Sequence, residues 1–149
     1  MIQRIQSLFL LVAISCSVAV FFVDFAECLH ENTITRLSLV SGVGTAGDFI
    51  ETSSMDLLIV NILTLIIGVW ALVSFKNRSR QMRICMVGGL SSLVLVVLIF
   101  YHADQFQLTN KAHYLLGTYL IAVQTITFTL ARRFIRKDEL LVRSADRIR

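Results

Sequence analysis

The sequence predicts an all-α membrane protein, an up-down bundle of four transmembrane helices with both termini cytoplasmic. Three observations carry this expectation. The 149-residue chain is 56% hydrophobic with a mean hydropathy of +0.74, more apolar surface than a soluble domain of this size buries. It contains no proline, the residue that most sharply interrupts a helix. Finally, residues 7–23, 57–75, 84–101 and 114–131 run without Asp, Glu, Lys or Arg. A hydrocarbon core takes roughly 20 apolar residues at about 1.5 Å each, so each stretch is a candidate span.

In the first stretch, "VAISC" ending at Cys16 loosely resembles a lipoprotein cleavage box. Cleavage there would leave the apolar stub "SVAVFFV" where mature chains begin polar, so the helix is expected to be retained. Orientation follows from the basic residues, which accumulate in short cytoplasmic loops. Twelve of the fourteen fall on one side: Arg4, the 76–83 connection and the tail. Arg36 and Lys111 fall on the other. The net charge of +4 thus reflects a polarised molecule and is no sign of nucleic-acid binding.

The spans are joined into a single domain, residues 1–149. Gly68, Gly88, Gly89, Ser91, Ser92 and Gly117 are the expected points of close helix approach. "KNRSRQMR", residues 76–83, has the character of a short basic hairpin loop. The external loop 24–56 is the only sizeable segment outside the spans. Within it "TITRLSLV" alternates like a strand and "SGVGTAG" has turn chemistry, which predicts a small β-hairpin over the outer mouth.

Several motifs suggest chemistry and are outweighed by plainer readings. "GVGTAG", Gly42 to Gly47, has the glycine spacing of a dinucleotide fingerprint. With no crossover helix or second parallel strand expected after it, and with the loop external, it is read as a turn and no nucleotide is expected. His102 and His113 are expected at the ends of consecutive helices, where with Asp104 they would suit a metal, or flank a haem. Interfacial placement beside Tyr101 and Tyr114 accounts for them as well, so no metal or cofactor is assigned. Cys16 and Cys85 fall in or beside spans; Cys28 alone faces outward, either free or paired with another chain. The membrane segments hold no carboxylate, which argues against a drug–proton antiporter. Gln124 and Asn61 are their most informative polar residues, candidates for interhelical contact.

The tail, residues 132–149, is expected to continue the fourth span as a cytoplasmic helix, with opposite charges at helical spacing such as Glu139 with Arg143. Its proximal cations Arg132, Arg133, Arg136 and Lys137 are candidate anchors for lipid headgroups. The mixed-sign distal part, Asp138, Glu139, Leu141, Arg143, Asp146 and Arg147, is a candidate face for a partner protein.

"MIQRIQSLFLL", "FKNRSRQMRIC" and "IRKDELLVRSADRIR" together resemble, over essentially the whole chain, a family of small four-helix inner-membrane proteins of Bacteroidota catalogued as domain of unknown function 4293. The resemblance implies four spans and cytoplasmic ends, and it supplies no activity. Its recognisable segments, 1–6, 76–83 and 135–149, would all lie on the cytoplasmic face. The expected function is therefore a non-enzymatic inner-membrane protein, an accessory or scaffold subunit whose partners are membrane lipids and another membrane protein. The alternative is a small homo-oligomeric transporter or lipid-handling protein, with Gln124 and Asn61 lining a path.

Overall fold

A computed structural model describes residues 3–30, 33–39, 49–53, 55–106 and 113–146. Four helices dominate it: α1 (Gln3–Ala19), α2 (Met55–Val73), α3 (Arg78–Phe106) and α4 (Leu116–Asp146). The last two, 29 and 31 residues long, extend about 43 and 46 Å at 1.5 Å per residue. Three segments are long and apolar enough to cross a membrane: Ile5–Phe22, Met55–Val73 and Arg78–Asp104. The fourth expected span is a helix of the same bundle but a less apolar one. Gln124 and four threonines dilute it, and Arg132 and Arg133 follow directly after Ala131.

Helix boundaries move relative to expectation. The basic connection is much shorter than residues 76–83, because α3 already begins at Arg78 after a 3-10 turn over Ser74–Lys76. Asn77 closes the turn through a bond from its N–H to the Ser74 carbonyl (3.1 Å), and its own carbonyl accepts from the Gln81 N–H (2.9 Å), the first bond of α3. Arg80 and Arg83 stay exposed on the helix surface, so charge that looked like loop composition is the solvated first turns of a helix.

Each helix packs on two neighbours, in the cycle α1–α2–α3–α4 and back to α1. Two apolar clusters fill the interior. One, nearer the chain termini, joins Leu10, Ala13, Ala71, Cys85, Phe128, Ala131 and Ile135. The other joins Val20, Leu57, Leu95, Ile99 and Ile121 to the sheet residues Phe25, Ala26 and Leu37. Close packing at Gly68 and Gly88 is visible in what a methyl group would meet there: Ile14 at 3.1 Å and the Phe128 ring at 2.8 Å.

The hairpin expected in the first long loop is part of a four-stranded sheet, in the order β3-β2-β1-β4. Its strands are β1 (Ala26–His30), β2 (Thr33–Ser38), β3 (Phe49–Ser53) and the two-residue β4 (His113–Tyr114). The hairpin lies earlier than expected: β1 pairs antiparallel with β2, from Ala26 opposite Leu37 to His30 opposite Thr33. β3 then runs parallel to β2, so a second parallel strand does follow the glycine motif. Residues 41–47, the motif and expected turn, lie outside the described residues. Local alternation identified β2, whereas the pairing of β1 with β4, Glu27 opposite His113, joins segments far apart in sequence.

The sheet is tied to α4 by the segment at Asp24 and Phe25. The N–H groups of Leu115 and Gly117 donate to the carbonyls of Phe25 (2.7 Å) and Asp24 (3.0 Å), and the Thr118 hydroxyl donates to Phe25 O (2.8 Å). A methyl group on Gly117 would lie 2.6 Å from the Asp24 carbonyl oxygen, a backbone atom that cannot step aside. Gly117→Ala is therefore expected to destabilise the protein by about 1–3 kcal/mol, the usual cost of overpacking. Gly89→Ala, where the nearest atom is 3.8 Å away, is expected to be tolerated. Thermal unfolding of both variants in detergent checks the pair; equal midpoints would contradict the contact.

Candidate functional site

Between the two apolar clusters lies a layer of polar side chains. Ser17, Asn61, Thr64, Ser92 and Gln124 are buried and Ser91 and Thr125 partly so. Each of the four helix interfaces carries one hydrogen bond from this layer. Asn61 Nδ2 donates to the Ser17 carbonyl (3.1 Å), joining α2 to α1. Gln124 Nε2 donates to Ser17 Oγ (2.6 Å), joining α4 to α1. Thr64 and Ser91 pair through their hydroxyls at 2.6 Å, joining α2 to α3, and Thr125 donates to Ser92 Oγ (3.0 Å), joining α4 to α3. The Thr64 hydroxyl also contacts Val60 O at 2.7 Å; with its one proton placed there, Ser91 is the donor of the pair.

Gln124 and Asn61 thus sit in the chain's own interior, both with 0% exposure, and both hold Ser17. They would not line a path formed between copies. The second polar atom of each, Gln124 Oε1 and Asn61 Oδ1, is buried with no donor among the described residues.

At the end carrying both termini, α4 continues unbroken through the expected tail. Phe134 stacks on Phe9 of α1, ring centroids 5.2 Å apart and planes 10° from parallel. One turn on, Asp138 accepts a hydrogen bond from Gln6 Nε2, and Ser79 Oγ reaches Glu139 at 3.4 Å from the start of α3. Asp138 was expected on an open docking face; it is 6% exposed, as Gln6 is 5%. That reading is corrected for Asp138, which the helical period turns inward on the same side as Ile135 and which fastens the helix to its own bundle; Glu139 beside it is half-buried. Leu141 is exposed, Arg143 and Asp146 lie in the last turns of α4, and Arg147 falls outside the described residues. Arg132, Arg133, Arg136 and Lys137 are all exposed around the helix where its apolar part ends.

At the opposite end, His102 Nε2 lies 2.7 Å from Asp56 Oδ2, which joins the last turns of α3 to the start of α2. His113 is in strand β4 rather than at a helix end. Among the described residues no group of three or more His, Cys, Asp or Glu side chains could hold a metal. Cys16 and Cys85 are buried free thiols.

This arrangement holds four helices in a set order, with a helical extension at the terminal end. The family described as "Domain of unknown function (DUF4293)" matches residues 2–148. The chain belongs to the DUF4293 family. The match covers the bundle, the sheet and the clamped end of α4 alike, so in this DUF4293 chain the extension is part of the family domain and no appendage to it. No curated relative and no solved structure matches the chain.

Signals for the polar layer exist in the sequence, as Gln124 and Asn61 show, but Ser17 was missed. A serine in an apolar helix has no distinguishing neighbour, and its part as the shared partner of two amides exists only once α2 and α4 flank α1. Ser17→Ala would leave Gln124 with neither polar atom bonded among the described residues, at about 1–2 kcal/mol. The double variant Ser17→Ala/Gln124→Leu removes both partners and is expected to recover most of that loss. Denaturant titration of the purified protein measures the cycle, and a double variant no more stable than Ser17→Ala would refute the pairing.

Proposed function

We propose that this DUF4293 protein is a non-catalytic, multi-pass protein of the bacterial inner membrane, with four spans and cytoplasmic termini, that serves as an accessory or scaffold subunit of a larger membrane assembly. Three strongly apolar helices with outward aliphatic faces support membrane insertion. The skew of basic residues toward the terminal end supports the orientation.

The observation carrying the docking role is the end of α4. Beyond the Phe9–Phe134 and Gln6–Asp138 clamp, Leu140 and Leu141 are 59% and 50% exposed on a helix already held in place. Counting from Arg132, they lie about 12 Å past the point where the apolar part of α4 ends. An ordered helix offering adjacent leucines among charges gives a partner an apolar anchor with little conformational entropy to lose. Arg132, Arg133, Arg136 and Lys137, at headgroup level, would set the height of that helix against the bilayer.

Replacing both leucines, Leu140→Asp/Leu141→Asp, is expected to abolish co-purification of a membrane partner under gentle detergent extraction, while leaving the bundle's thermal midpoint unchanged. Native mass measurement checks it. A wild-type chain that is monomeric with no co-purified protein would overturn the subunit role.

A further inference from the structure

An open cavity of about 420 Å³ lies at the terminal end of the bundle, between α1 and the α2–α3 turn, lined by Gln6, Ser7, Leu8, Leu11, Phe75, Arg78 and Gln81. Its origin is a divergence of helices. α1 and α2 touch closely at Gly68, where an added methyl would lie 3.1 Å from Ile14, but α2 ends at Val73 and the following turn carries Phe75 outward. α1 continues past it, and a groove opens between them.

The groove is amphipathic along its length. Leu8, Leu11 and Phe75 line it and are themselves largely exposed, so it opens on the apolar flank of the bundle. Leu11 is about 7.5 Å further along α1 than Gln6. Arg78 stands at the other end, in the first turn of α3, and has no ion-pair partner among the described residues; Gln6 and Gln81 form a buried polar floor. A cation at headgroup level with an aliphatic wall leading inward complements one class of molecule, an amphiphile with an anionic head and hydrocarbon tail. The nearby Arg80 and Arg83 strengthen the positive field without lining the groove.

We propose that this groove binds one anionic phospholipid of the leaflet on the terminal side, its phosphate paired with Arg78 and the first part of an acyl chain lying along Leu8, Leu11 and Phe75. The site is separate from the exposed cations of α4 and rests on insertion in a bilayer, independently of the subunit role. A lipid here would fill the opening between α1 and the turn, and so would brace the same α1 segment that Gln6 and Phe9 clamp to α4.

The test is native mass spectrometry of the delipidated full-length protein, titrated with phosphatidylglycerol or phosphatidylcholine of matched chains. The expected result is one retained phosphatidylglycerol in preference to phosphatidylcholine. Arg78→Gln should weaken phosphatidylglycerol about fivefold, the worth of one cation at a membrane surface, and leave phosphatidylcholine unchanged. Leu11→Trp should block both by filling the groove, and Val97→Trp, the same bulk on a distant exposed position, should change neither. Equal retention of the two lipids, or phosphatidylglycerol binding indifferent to both groove variants, would overturn the proposal. Displacement of the lipid by millimolar inorganic phosphate would also overturn it, since the site would then belong to a free anion. Helical circular dichroism verifies each variant's fold, and Arg78→Gln, at a helix start on the rim, keeps the test decisive if Leu11→Trp unfolds.

Discussion

The rotation of the four helices depends on the closed set of hydrogen bonds at mid-height. Each helix carries large aliphatic residues on its outer face as well as its inner one, among them Leu8, Leu11, Ile59, Ile66, Val87, Leu93, Val97 and Ile126. Apolar burial alone therefore discriminates poorly between one rotation of a helix and another, and in hydrocarbon it discriminates hardly at all. A buried amide or hydroxyl is far more selective, because an unmet polar group costs more than a displaced methyl. With one such bond at each of the four interfaces, turning any helix breaks two of them.

From that layer the two halves of the bundle diverge in character. Toward the sheet, the helix ends are held by backbone hydrogen bonds and by the Asp56–His102 contact, and the core merges with the sheet through Phe25 and Leu37. Toward the termini the described residues form no sheet. There the helices are held by side chains: Phe9 on Phe134, Gln6 on Asp138, Ser79 on Glu139. The last of these contacts on α4 is at Glu139, and the helix continues to Asp146. The same end has the groove beside Arg78, where α1 and α2 part.

This division relates the proposed roles to the architecture. The outward features these roles rest on gather at the terminal end: exposed cations, exposed leucines and an amphipathic groove. They share the α1 and α4 segments, so lipid in the groove and a partner on α4 would act on neighbouring parts of one clamped unit. The two Gln124 and Asn61 oxygens that lack donors among the described residues lie instead at the centre of the layer.

By itself the sequence determined that this is a helical bundle with helices apolar enough to cross a membrane and basic residues skewed to one end, and it singled out Gln124, Asn61 and the tightly packed Gly68, Gly88 and Gly117. Those features are local: an apolar run, a charge count, an amide where none is expected. Strand β2 was legible for the same reason, as alternation over six residues. Only the tertiary structure decided that Ser17 joins two amides, that Asp138 faces inward to Gln6, that β1 pairs with β4, and that α1 and α2 open at Arg78. Each of these is a relation between segments distant in the chain. It follows from which helix stands beside which, and no single segment's pattern encodes that.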